Sequence, residues 1–128
     1  MNLERALQVV MLLVGLLFVA AIYPVALALL RPSPSDDAGD TMMASLYFTL
    51  GVFLLLAVRK PSAHRSLIAF AAWSSFAHAV VMSILGIYMP SERTGFLIGS
   101  AVLVVIGVAL LALAPPKPSV PQVPAAGA

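Results

Sequence analysis

The sequence predicts an all-α fold, a transmembrane bundle of four helices in which neighbours run antiparallel. Three observations carry that expectation. The 128-residue chain is 62% apolar and only 9% charged, against roughly 25% charged residues in an ordinary soluble domain. Four long runs contain no Asp, Glu, Lys or Arg. Short segments rich in Pro, Ser and charge separate these runs, and connections of that length turn the chain straight back on itself. The same composition disfavours a soluble enzyme. With no cysteine, the chain offers no disulfide framework, thiolate nucleophile, Cys-ligated zinc or iron–sulfur cluster. A formal charge of +2, scattered singly or in pairs, makes no basic face for a nucleic-acid backbone, so no nucleic-acid partner is expected.

The first span is expected over residues 6–30, longer than the ~20 apolar residues a bilayer core requires. Within it Pro24 lacks an N–H and frees the carbonyl of Ala20, which predicts a kink in the outer third. A cleaved leader is the competing reading of this segment. Its apolar stretch is too long for one, and Glu4 offsets Arg5 where a leader should be positive. The remaining spans are expected at 41–58, 66–89 and 95–114, making residues 1–114 one membrane domain. Residues 115–128 hold five of the ten prolines and read as an extended, disordered tail. The tail contains Pro118-x-x-Pro121 and Pro121-x-x-Pro124, a spacing used in Pro-rich recognition, although an unstructured terminus accounts for it more simply.

Orientation follows from Lys and Arg, which are retained on the cytoplasmic side. Arg5, Arg59, Lys60, Arg65 and Lys117 fall on one side of the predicted topology, and only Arg31 and Arg93 on the other. Both termini are therefore expected in the cytoplasm, and the chain is expected to be a multi-pass inner-membrane protein with the lipid bilayer as its first partner.

Polar side chains inside spans turn toward other helices because hydrocarbon cannot satisfy them. Thr41, Ser45 and Thr49 recur at four-residue steps along the second span, with Tyr47 elsewhere on that helix and Gly51 allowing close approach. Ala71, Ser75, His78, Met82, Leu85 and Met89 follow one face of the third span, with Trp73 and Ser74 beside it. Treated as straight antiparallel helices rising about 1.5 Å per residue, the two spans bring Thr49 level with His78, and Ser45 level with Met82. His78, Ser75, Ser45, Thr49, Trp73 and Met82 thus form a candidate intramembrane cluster. Its simplest reading is hydrogen bonding across a helix pair. The functional reading gives His78 a ligand, either haem, quinone or pigment. Haem ligation commonly takes a second axial residue, and His64, fourteen positions away in the sequence, lies about 21 Å off along a helix. No cofactor or metal is therefore the first expectation. In the fourth span Gly95, Gly99 and Gly107 make a small-residue stripe suited to close helix contact, within the chain or between copies.

The stretch Met42-Met43-Ala44-Ser45-Leu46-Tyr47 with Leu50-Gly51, and the stretch from His64-Arg65-Ser66-Leu67 through Trp73-Ser74-Ser75 to His78, resemble a family of small, uncharacterised bacterial four-span membrane proteins. The resemblance implies the four-helix fold and brings no activity or catalytic residues with it. In size and topology the chain also looks like DoxX-like four-helix membrane proteins, some of them associated with quinone-linked respiration. Three function classes follow: a non-enzymatic accessory or scaffolding subunit of a membrane complex, or a self-associating bundle; a redox-associated subunit holding quinone, haem or pigment near His78; and a small transporter or channel. The last is handicapped by spans that lack any carboxylate, Lys or Arg. The first is preferred, and no catalytic residue is assigned. Ser75 and His78 share a face, but no intramembrane acid orients the imidazole for hydrolysis.

Overall fold

A computed structural model describes residues 2–121. Among these residues the chain is helical and without strands, as the composition requires. Helix α1 spans Leu3–Val19 and α2 Ile22–Leu30; α3 spans Ala38–Ala57; a 3-10 turn at Pro61–His64 leads into α4, Arg65–Tyr88; and α5 spans Arg93–Leu113. Four segments are long and apolar enough to cross a membrane: Leu3–Leu30, Ala38–Ala57, Pro61–Tyr88 and Arg93–Leu113.

Helix ends differ from the uncharged runs for local reasons. α1 begins before residue 6 because Asn2 caps it, its side-chain oxygen accepting from the Arg5 N–H at 2.8 Å. α3 begins at Ala38 rather than 41 because the Asp37 carboxylate accepts from the N–H groups of Gly39 at 2.6 Å and Asp40 at 3.3 Å. A capped helix end tolerates a charge at the membrane surface that a hydrocarbon span does not, so the helices outrun the apolar stretches. The break between α1 and α2 falls at Ala20–Ala21. There Tyr23 N–H reaches only the carbonyl of Ala20, at 3.1 Å, and the Val25 bond to Ala21 is stretched to 3.4 Å. Pro24 has no N–H for Ala20, and the ladder tightens and then restarts around that gap.

The helices pack as two antiparallel hairpins, α1 against α3 and α4 against α5, with α1 joined to α5 and only sparse contact between α3 and α4. Small residues set both tight pairs. A Cβ built on Gly51 would lie 2.8 Å from the Gly15 carbonyl oxygen and from the Val19 nitrogen, so α1 and α3 cross backbone to backbone. Along α4 and α5, Gly86 meets Phe96, Met82 meets Gly99, and the Phe76 ring covers Gly107. Arg93 Nε donates to the Gly86 carbonyl at 3.0 Å, and Arg65 Nε to the Pro115 carbonyl at 2.9 Å, clasping the two ends of this pair. Between them Ser83 and Ser100 approach at 2.7 Å, and both hydroxyls lie within 3 Å of the Ala79 carbonyl. Two hydroxyl protons serve these three contacts.

The core is lopsided along the bundle axis. Its members Leu7, Met11, Val14, Phe18, Leu54, Ala57, Ile68, Ala71, Ala72, Ala79, Leu103, Ile106 and Leu110 are buried. They come mainly from the ends of the helices nearer the termini. Toward the 31–37 connection, burial thins to Phe18, Val25, Ala79, Gly86 and Ser100. Residues 114–121 have no regular secondary structure. Pro118-x-x-Pro121 lies in that stretch, and the end of Pro121-x-x-Pro124 falls outside the described residues.

Candidate functional site

The sparse α3–α4 contact leaves a groove between the second and third spans. Its α3 wall carries Leu46, Tyr47, Thr49, Leu50 and Phe53, and its α4 wall Leu67, Phe70, Ser74, Ala77, His78 and Val81. The three- and four-residue steps on both helices place these residues on facing stripes. Most are bulky, so the backbones cannot close as they do at Gly15–Gly51. The cavity so formed measures about 700 Å³.

Polar atoms concentrate where the two walls meet. The Tyr47 and His78 rings are in edge contact, centroids 5.4 Å apart, and Phe18 of α1 stacks edge-on against Tyr47 at 4.9 Å. Neither the phenol nor the imidazole has a hydrogen-bond partner among the described residues. No fully covered side-chain nitrogen or oxygen there lacks one, so these polar atoms open onto a cavity. His78 opens onto two. A second cavity, about 430 Å³, lies in the half of the bundle nearer the 31–37 connection and is lined by all four spans, with Leu17, Asp40, Met82 and Val102 among its walls. Met43, Tyr47 and His78 line both.

The six residues of the sequence cluster are only partly brought together. His78 and Thr49 share the groove, and His78 and Met82 share the second cavity. Thr49 donates to the Ser45 carbonyl at 3.0 Å, and Ser45 to the Met42 carbonyl at 2.6 Å. The polar stripe of α3 is thus satisfied within its own helix, and Ser45 is exposed beyond both cavities. Ser75 is wholly buried (0%) and donates to the Ala71 carbonyl at 2.7 Å. Trp73 is 62% exposed and rests on Phe76, away from the groove. The expectation that the polar stripes of the two spans face each other is therefore corrected. The depth register stands within about 3 Å, two residues of rise, but the partner of His78 is Tyr47 rather than Thr49. α4 turns its Ser75 side toward the other helices, and α3 presents its aromatic side.

The glycine stripe divides likewise. Gly51, Gly99 and Gly107 sit at helix contacts, whereas a Cβ on Gly95 would meet nothing within 4 Å. Sequence reasoning missed Gly15, which an antiparallel register places opposite Gly51, and the Ser83–Ser100 pair, whose signal was a serine directly following Gly99 on the packing stripe. His64 lies in the 3-10 turn at the far end of α4. No group of three or more His, Asp or Glu among the described residues is placed to hold a metal.

A family model described as a family of unknown function, DUF6632, matches residues 2–121. Comparison with curated proteins and with solved structures finds no match. The chain belongs to the DUF6632 family.

Proposed function

We propose that this DUF6632 member is a non-catalytic inner-membrane subunit, with both termini and the Pro-rich tail in the cytoplasm, that holds a membrane-dissolved amphiphile in the α3–α4 groove. One observation carries the reading. Two unpartnered polar rings, Tyr47 and His78, stand at the middle of a groove whose other polar side chains, Thr49 and Ser74, donate to carbonyls of their own helices. Polar groups left against hydrocarbon are costly, and a ligand that supplies hydrogen bonds at that depth removes the cost. The size of the groove falls within the ~300–1,000 Å³ usual for small-molecule sites.

Chemistry narrows the occupant. Tyr47 is the tenth of the twenty residues of α3, near mid-bilayer, where a phospholipid head group does not reach. A ring with carbonyl or hydroxyl oxygens on an apolar chain does, as in a prenylated quinone. The imidazole N–H and the phenol O–H would each donate to such an oxygen, while Leu50, Phe53 and Phe70 cover the chain. An accessory place in a larger redox complex suits a site with binding groups and no catalytic acid or nucleophile. A transport role draws no comparable support.

Photolabelling of native membranes with a photoreactive prenylated benzoquinone tests the reading. Label is expected on peptides covering 43–53 and 67–81. It should be competed by unmodified quinone and be lost in Leu50→Trp, which fills the groove, and in His78→Gln. Uncompeted labelling, or labelling that survives both substitutions in folded protein, would reject the site.

A further inference from the structure

The second cavity gives the His78 imidazole a second exposure, and the lopsided core determines which end of the bundle that exposure faces. Toward the termini the bundle axis is closed by Leu54, Ala71, Ser75 and Ile106, none more than 7% exposed. Toward the 31–37 connection the same axis holds about 430 Å³ of cavity, many times the ~30 Å³ that one water occupies in the liquid. Asp40, exposed in the first turn of α3, lines this cavity. Seven residues, about 10 Å of helix rise, separate it from Tyr47 and the level of His78. The carboxylate, phenol and imidazole are the polar anchors that water in such a space requires.

We propose that this cavity is a water-filled vestibule, open on the face that carries the 31–37 connection and sealed toward the termini, through which His78 exchanges water and protons with that one side of the membrane. The proposal deepens the groove reading and rests on it for the purpose of the exchange. A quinone-type head group that gains or loses protons needs an aqueous route, and His78 is the residue common to ligand groove and vestibule. The titratable groups facing His78 are Asp40 and Tyr47, both from α3. The cavity walls contributed by α1, by Ala21 in the break after it and by α5 carry none. Asp40, the carboxylate among the cavity's lining residues, makes the entrance cation-attracting, because low-dielectric walls focus its field.

The native chain has no cysteine, so single cysteines report access without background. Met82→Cys and Ala44→Cys place thiols on the vestibule wall. Leu16→Cys and Val105→Cys place them on exposed apolar surface outside both cavities, and Asp36→Cys and Ala63→Cys identify the two faces. In sealed vesicles of each orientation, membrane-impermeant methanethiosulfonates should modify Met82→Cys and Ala44→Cys only from the side on which Asp36→Cys reacts. Leu16→Cys and Val105→Cys should stay protected from both sides. Adding Asp40→Asn should slow the cationic reagent relative to the anionic one at Met82→Cys. Protection of both vestibule thiols in protein whose Asp36→Cys reacts would overturn the proposal, as would modification from the Ala63 side or a cation-to-anion ratio untouched by Asp40→Asn. Quinone photolabelling with an inaccessible vestibule defeats this inference alone, and an accessible vestibule without photolabelling defeats the groove reading alone.

Discussion

Adding one methyl group to four glycines should resolve which helix contacts hold the bundle. At Gly51 the new Cβ would stand 2.8 Å from the Gly15 oxygen, the Phe18 Cβ and the Val19 nitrogen, about 0.6 Å short of the 3.4 Å at which ordinary contact begins. Backbone supplies two of the three obstacles, so α1 must move away from α3 as a body. Overpacking of this kind costs about 1–3 kcal/mol. At Gly95 the same methyl meets nothing within 4 Å. Both substitutions gain the ~0.4–1 kcal/mol that Ala earns by restricting the unfolded chain, so the difference between them isolates the steric term, about 2 kcal/mol. Gly99→Ala should lie near Gly95→Ala, because its obstacle is the swinging tip of Met82. Gly107→Ala should fall between, because it meets the Phe76 ring at 2.6–2.9 Å. Unfolding of purified protein in mild detergent by titration with a denaturing detergent, followed by helical circular dichroism, gives the ranking. Gly51→Ala and Gly95→Ala unfolding within about 0.5 kcal/mol of each other would refute a backbone-to-backbone crossing, since that gap lies below the smallest overpacking cost.

Other substitutions probe the remaining contacts. Ser100→Ala removes the hydroxyl shared with Ser83 and the Ala79 carbonyl and should cost about 0.6–2 kcal/mol, whereas Ser45→Ala and Thr49→Ala, which break bonds only to their own helix, should cost less. A double-mutant cycle on Ser83 and Ser100 should show coupling, and strict additivity would mean that the pair does not form. Disulfide trapping should favour Tyr47→Cys with His78→Cys over Ser45→Cys with Met82→Cys, and the reverse yield would restore the register in which the polar stripes face each other. Pro24→Ala returns an N–H to the Ala20 carbonyl, so α1 and α2 should fuse into one straighter helix; an unchanged spin-label distance from residue 5 to residue 31 would show that packing, not proline, bends the span.

Sequence period and charge made the architecture legible because lipid leaves few alternatives: long uncharged runs must be helices, and short polar connections must return the chain. Antiparallel levelling also put His78 within two residues of its true height on α3. What sequence did not reveal was rotation about each helix axis. Thr41, Ser45 and Thr49 looked like a stripe in need of a partner helix, yet a hydroxyl in a helix can donate to a carbonyl three or four residues back, as Ser45 and Thr49 do. That local outlet uncouples polarity from facing direction. Ser75 took the same outlet inside the core. Imidazole and phenol have no such backbone outlet at hand, so Tyr47 and His78 were the more informative pair, and Tyr47 was passed over because it broke the four-residue period.

The placement of the groove follows from the distribution of side-chain size. Where small residues meet, at Gly15 with Gly51 and along Gly86, Gly99 and Gly107, helices close until backbone meets backbone or ring meets glycine. In lipid this packing, rather than a hydrophobic drive, is what joins helices. The facing stripes of α3 and α4 carry Leu46, Leu50 and Phe53 against Leu67, Phe70 and Val81, and lipid tails solvate such side chains as readily as one another. No gain in burial draws these walls together, so the α3–α4 seam stays the open one. A single small pair introduced there, Leu50→Gly with Phe70→Ala, should let α3 and α4 close. Closure would raise disulfide trapping between Tyr47→Cys and His78→Cys while abolishing quinone photolabelling, and retained labelling in the closed protein would show that the ligand does not occupy the groove.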